Sequence, residues 1–202
     1  MIVIGGSLGG FAAVNEILHR LPADFSLPIA IVLHRHRDSE GLLLPVLRPG
    51  CLLPASEVED KDPIEPGHVY LCPPDYHLLF DEGCFSLSTD DPLNFARPSI
   101  DAFFESAAEW KGRSVIAVVL SGAGSDGASG AKTILENGGL VIAQDPATAD
   151  GAWMPNATIA ATKTRHVMRL EHIADVLIRV ARRRSHRTNS SEQDRKTTSR
   201  KA

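Results

Sequence analysis

Three residues whose side chains can together run nucleophilic catalysis, Ser7, His34 and Asp126, each follow an apolar run of the kind that forms a buried strand. Ser7 lies in Ile-Val-Ile-Gly-Gly-Ser-Leu-Gly-Gly, residues 2–10. Glycines on both sides let the backbone bend where a Cβ would obstruct it, and the helix start that follows leaves N–H groups unpaired beside the hydroxyl. His34 directly follows Ile29–Leu33, and Asp126 sits at the tip of the glycine-rich loop after Val115–Leu120. A serine hydroxyl is a poor nucleophile until an imidazole accepts its proton, and a carboxylate makes the imidazole effective by fixing its tautomer. Gly5-x-Ser7-x-Gly9 also fits the nucleophile-elbow pattern, although the chain order Ser, His, Asp differs from the Ser, acid, His order of ordinary α/β-hydrolases.

Other readings of the same residues make different chemistry. A dinucleotide fingerprint needs G-x-G-x-x-G, and here Gly5 and Gly10 are spaced correctly while Ser7 takes the middle glycine's place. The second strand ends in His34-Arg-His-Arg37 without a carboxylate for a ribose, so this reading survives only as an NADP site with Arg35 on the 2′-phosphate. His34-x-His36 could be two arms of a metal site, but no carboxylate or cysteine nearby completes a set. Asp145, also beyond a strand-like run, is the runner-up for the acid. Arg97 and Asp101 are spaced to pair on the first turn of a helix, and Asp75 and His77 fall in a loop segment suited either to the site or to capping a turn.

Positioning these groups requires strands that all end on one side. Apolar residues at helical spacing over 11–20, a strand at 29–33, a helix over 99–110 with Ser99 as N-cap, a strand at 115–120, a helix over 128–137 and a strand at 140–144 make an α/β alternation. Such alternation implies an open, mostly parallel, doubly wound sheet covered on both faces, with ligands bound at the carboxyl ends of its strands. Pro54–Gly83 and the segment after it carry short strand-like pieces at 69–72, 77–81 and 84–89, read as an antiparallel insertion or edge hairpin. A last amphipathic helix spans about 170–184.

The 202 residues suffice for one core and leave no room for a second catalytic domain. No apolar stretch reaches the roughly 18–20 residues needed to cross a bilayer, and Met1 leads straight into a strand, so a cytoplasmic location without membrane insertion is expected. Cys51, Cys72 and Cys84 are odd in number and lack metal-ligand spacing, which suits free thiols. Residues 182–202 hold eight Lys or Arg against Glu192 and Asp194, a net of +6, so with −4 for the whole chain the body carries about −10. That balance argues against a nucleic-acid surface on residues 1–181, and the polar composition of 182–202 suggests a disordered basic tail.

Beyond the three chemical residues, seven collinear blocks resemble the catalytic domain of chemotaxis protein-glutamate methylesterases, the CheB type. They are Gly5–Gly10, the strand ending at His34, Pro66–Leu78, Arg97–Asp101, Leu120–Gly127, Gln144–Ala149 and Met154-Pro155. The resemblance implies Ser7 as nucleophile, His34 as base and Asp126 as orienting acid. It implies no metal or organic cofactor, and a substrate of glutamate methyl esters, with the matching glutamine amides, on the cytoplasmic helices of chemoreceptors or a related signalling protein. Gly9, Gly10 and the loop at Ala123 are candidate oxyanion donors, and Leu8 and Met154 candidate pocket residues. The chain departs from its relatives at Leu8, where a small or hydroxylated residue is usual, at Ala123, where methionine is frequent, and at Leu33 and His36. Full-length enzymes of this type carry a phospho-receiver domain, and this sequence opens at the first esterase strand. A stand-alone esterase served by a separate receiver protein, a fragment, or a catalytically idle binding module of the same fold are the resulting expectations.

Overall fold

Seven short strands, every one paired in parallel, carry the fold of the computed structural model, which describes residues 1–198, with side chains through residue 184. In chain order they are β1 (Ile2–Gly6), β2 (Ile29–Leu33), β3 (Ala55–Glu57), β4 (Val69–Leu71), β7 (Ile116–Val119), β8 (Leu140–Gln144) and β9 (Val167–Met168), arranged across the sheet as β3-β4-β2-β1-β7-β8-β9. The two remaining strands, β5 (His77–Asp81) and β6 (Cys84–Ser88), form a separate antiparallel pair rather than an edge of the main sheet. Six α-helices complete the described fold: α1 (Gly10–His19), α2 (Leu44–Leu47), α3 (Ile100–Lys111), α4 (Ala128–Glu136), α5 (Trp153–Thr162) and α6 (Leu170–Thr198).

Strand alternation divides the core in two. Ile2, Ile4, Ile29, Ile31 and Leu33 face one side, where Val14, Ile17 and Leu18 of α1 and Ile173 and Leu177 of α6 cover them. Val3, Ala30, Val32, Ala117 and Val119 face the other, against Phe103, Phe104 and Ala107 of α3, Ile134 of α4 and Phe80 and Phe85 of the hairpin. Burying each large side chain contributes about 1.5–3 kcal/mol. Because both faces are covered, the central strands read as uninterrupted apolar runs, which is what made them visible in the sequence.

The basic segment differs from its expected form. Ala181 is the last buried residue of α6, close to the expected end of the packed body, yet the helix continues to Thr198. Residues 182–198 hold neither glycine nor proline, so no helix breaker stops α6 once it is nucleated on the body. The final four residues of the expected tail lie outside the described ones.

The sheet order places a switch between β1 and β7. Strands β2, β4 and β3 extend from one side of β1, and β7, β8 and β9 from the other, so connections leave adjacent strand ends in opposite directions and open a crevice. Ser7 follows β1, His34 follows β2 and the loop bearing Asp126 follows β7. All three therefore meet at that crevice.

Candidate active site

Register sets the first two residues side by side. Gly6 is the Cα partner of Leu33 on the neighbouring strand, and His34 N–H donates to Gly6 O at 3.1 Å. Ser7 and His34 are thus the next pair across strands about 4.8 Å apart. On the other side, Leu120 N–H donates to Gly5 O and Ser7 N–H to Ser121 O, each at 2.9 Å, which extends the ladder into the two loops. Ser121 ties these loops further. Its Oγ donates to Leu8 O at 2.7 Å and accepts from Gly151 N–H, while its own N–H is held by Gln144 Oε1 at 2.8 Å.

The turn at Ser7 needs its glycines for specific reasons. Gly9 has φ +76°, and a Cβ there would lie 2.7 Å from Asp150 and 2.8 Å from Ser121 Oγ. Gly10 opens α1 and spends its N–H on Ser7 O at 2.7 Å, so it has no donor left for a substrate oxyanion. The N–H groups of Leu8, Gly9 and Ala123 make no hydrogen bond among the described residues. Leu8 points outward and is 62% exposed beside Ser7. Met154 instead is fully buried, its Sδ packed so closely on Gly122 that a Cβ there would overlap it and come within 3.0 Å of Ser7 Cβ. It packs on Gly122 in the loop after β7 and, being fully buried, does not line an open pocket.

His34 Nε2 and Asp126 Oδ2 are 2.7 Å apart. Asp126 is nearly buried and accepts three further hydrogen bonds: Ile100 N–H at 2.8 Å on Oδ2, and Asp101 N–H at 2.9 Å and Ser99 Oγ–H at 3.1 Å on Oδ1. Four donors fill the acceptor capacity of a carboxylate. The carboxylate also sits on the N-terminus of α3, where unpaired amides and the helix dipole favour an anion. Burial by itself would push this carboxyl up; the His34 imidazole and the Ile100 and Asp101 amides outweigh it and hold the group below the usual carboxylate value. An ionised Asp126 accepts, so His34 Nε2 carries the proton and Nδ1 keeps the lone pair. Ser7 Oγ makes no hydrogen bond within the described residues; bonds between nucleophile and base often tighten only when substrate is seated.

A depressed carboxyl contributes stability that is present above its ordinary pKa and lost as pH falls through its folded value. Asp126→Asn should accordingly be less stable than the parent at pH 6, with the gap closing as urea unfolding is repeated from pH 5 down to about pH 2. A gap that stays constant over that range contradicts the ionised, fourfold-bonded Asp126. Asp101 has the opposite sign, because burial and then the neighbouring Asp126 charge push it up despite its bonds to backbone amides.

Several residues with chemical promise lie elsewhere. Asp145 caps the short 3₁₀ turn Pro146–Thr148, accepting Ala147 N–H at 3.0 Å, and does not reach His34. The Arg35 side chain is turned inward and largely covered, bonded to Glu57 and to the carbonyls of Cys72 and Ser39, so it is not available to a 2′-phosphate, and the NADP reading loses its cation. His36 is exposed and pairs with Asp38; among the described residues no group of three His, Cys, Asp or Glu is placed to hold a metal ion. Arg97 bonds Asp75 Oδ1 through both Nε and Nη2 and does not pair with Asp101, because it precedes the Ser99 N-cap and lies off the helix face.

The sequence singled out His77, Ser99 and Asp101 but not the support they give behind Asp126. His77 is buried, accepts Ser99 N–H on Nδ1 at 3.2 Å, and faces Asp91 O with Nε2 at 3.3 Å, which makes Nε2 the protonated nitrogen. Asp101 bonds the start of α4. The available signal was the N-cap: a Ser99 whose hydroxyl and amide both had to find partners.

A CheB methylesterase family model matches residues 2–177, which include the Ser7 turn and both loops just described. The chain belongs to the CheB methylesterase family. The crystal structure of the Thermotoga maritima CheB methylesterase catalytic domain superposes with a TM-score of 0.85 at 34% identity, covering 89% of this chain and 97% of that one. A protein-glutamate methylesterase/protein-glutamine glutaminase from Rhodospirillum rubrum is 36% identical over 91% of this chain, but that match covers 49% of its own length. This CheB-family chain thus spans about half of such relatives. A Leptospira interrogans protein provisionally given the same name is 47% identical over 180 residues, 89% of this chain and 93% of that one. Among the described residues, no helix is long and apolar enough to cross a membrane.

Proposed function

We propose that this chain is a protein-glutamate methylesterase that also accepts glutamine amides, acting on chemoreceptor-like helices through Ser7, His34 and Asp126. The observation that carries this is the 2.7 Å bond between His34 and Asp126 one strand away from a serine on a helix-starting glycine turn. Ser7 Oγ attacks the ester carbonyl while His34 Nδ1 takes its proton. The tetrahedral oxyanion is met by amides that have no partner among the described residues, those of Gly9 and Ala123 in particular. His34 then protonates the departing methoxide, methanol leaves, and water repeats the sequence on the acyl-enzyme to release the glutamate carboxylate. A glutamine side chain would follow the same path with ammonia leaving.

Asp126 steadies the imidazolium formed in each half-reaction without itself taking the proton. Leu8, 62% exposed next to Ser7, and Trp153, 74% exposed ahead of Met154, are large apolar side chains open to solvent, which would suit the face of an amphipathic helix rather than a free amino acid. Cytoplasmic placement and control by a separate receiver protein belong to the same proposal. Methanol release from a methylated receptor fragment tests it: release by the purified chain, abolished in Ser7→Ala, is the expected result, and no release by the parent chain under conditions where an established relative works would favour the idle-module alternative.

A further inference from the structure

Helices α3 and α4 exchange carboxylates at their N-termini. Asp126, two residues before α4, accepts the first amides of α3; Asp101, in the first turn of α3, accepts Gly127 N–H at 2.9 Å and Gly130 N–H at 2.8 Å at the start of α4. Each anion satisfies donors that its own helix does not own. The two helices also cross without slack. A Cβ on Gly130 would meet Asp101 O and Phe104 Cβ at 2.7 Å, and one on Gly127, at φ +93°, would meet Ile100 Cγ2 at 2.6 Å. The bend that presents Asp126 to His34 is therefore gripped at Gly127 by Asp101, while Asp101 makes no bond to His34 or Ser7.

We propose that Asp101 is a positioning residue of the reaction, holding the Gly127 amide so that Asp126 Oδ2 stays aimed at His34 Nε2. The inference rests on the proposed roles of Ser7, His34 and Asp126, and it goes beyond them by assigning a second carboxylate to the same machinery. Without Asp101, the bend at 125–127 keeps its sequence but loses the clamp on its far side, and the His34 bond loses its fixed geometry. Substrate contacts are untouched, so the loss falls on turnover and not on binding.

The test is a double-mutant cycle on a small methyl ester with the full chain. Asp101→Ala should lower kcat by about 10- to 100-fold with KM within about twofold, and Asp101→Asn, whose amide oxygen still accepts both N–H groups, should return to within about fivefold of the parent. In an Asp126→Asn background, Asp101→Ala should cost less than about twofold, since there is no longer an aimed carboxylate to misplace. A cost in that background as large as in the parent overturns the proposal, as does parental kcat in Asp101→Ala. If Asp126→Asn alone keeps parental kcat, both this role and the triad reading fall. Should Asp101→Ala not fold, Asp101→Ser, which keeps one acceptor at the α4 start, carries the same cycle, with a smaller loss that must also vanish beside Asp126→Asn.

Discussion

Replacing Ser7 with alanine is expected to leave the fold intact and lower turnover of a methyl ester by about 10³-fold or more. The fold should survive because nothing structural hangs on the hydroxyl: Ser7 contributes its N–H to Ser121 O and its C=O to Gly10 N–H, and alanine supplies both. Turnover should not survive, because the covalent route begins at Oγ. Ser121 does lie close, but its Oγ is already committed to Leu8 O and Gly151 N–H. Unchanged circular dichroism with lost activity, and loss of labelling by a serine-directed phosphonate, are the paired readouts. Activity within tenfold of the parent would rule out the covalent serine and shift attention to a water directly activated by His34.

The proposed site was legible in the sequence to the extent that its residues sat at the ends of buried parallel strands. Ile2–Gly6, Ile29–Leu33 and Ile116–Val119 are apolar throughout because both faces of the central sheet are covered, and an apolar run that stops at Ser7, His34 or a glycine-rich loop marks its own carboxyl end. Edge elements carry no such mark. Strand β3 is Ala-Ser-Glu, half-exposed, and becomes a strand only through pairing with β4; β9 is two residues long. The same limit explains Arg97 and Asp101. Four residues apart, they look like a helical ion pair, but the helix begins between them, at Ile100 after the Ser99 cap, so Arg97 turns to Asp75 and Asp101 is free for α4. Spacing is informative only within one element. Arg35 illustrates the companion limit, since a charge beside a strand end can as well close a half-buried ion pair with Glu57 as face a ligand.

Asp126 and Asp145 both lie beyond strand ends, yet their environments predict very different costs on amidation. Asp126→Asn replaces an acceptor of four hydrogen bonds with a group that must turn an NH₂ toward one pair of donors. If the amide nitrogen faces His34, the imidazole must present a lone pair at Nε2 and carry its proton on Nδ1, which is the wrong tautomer for accepting a proton from Ser7. If the nitrogen faces the other way, it meets Asp101 N–H and the Ser99 hydroxyl. Either choice leaves a donor opposed, and without the negative charge the imidazolium formed during attack is no longer stabilised. Turnover should fall by roughly 10³- to 10⁴-fold, with substrate binding little changed. Asp145→Asn should cost less than about threefold, because an asparagine caps the Pro146–Thr148 turn nearly as well as an aspartate and the residue does not touch His34. Steady-state kcat and KM of the two variants, measured on one ester at one pH, decide the matter. A larger loss at Asp145 than at Asp126 would mean that His34 draws its orienting charge from β8, and that the bond seen to Asp126 serves the α3 N-terminus alone.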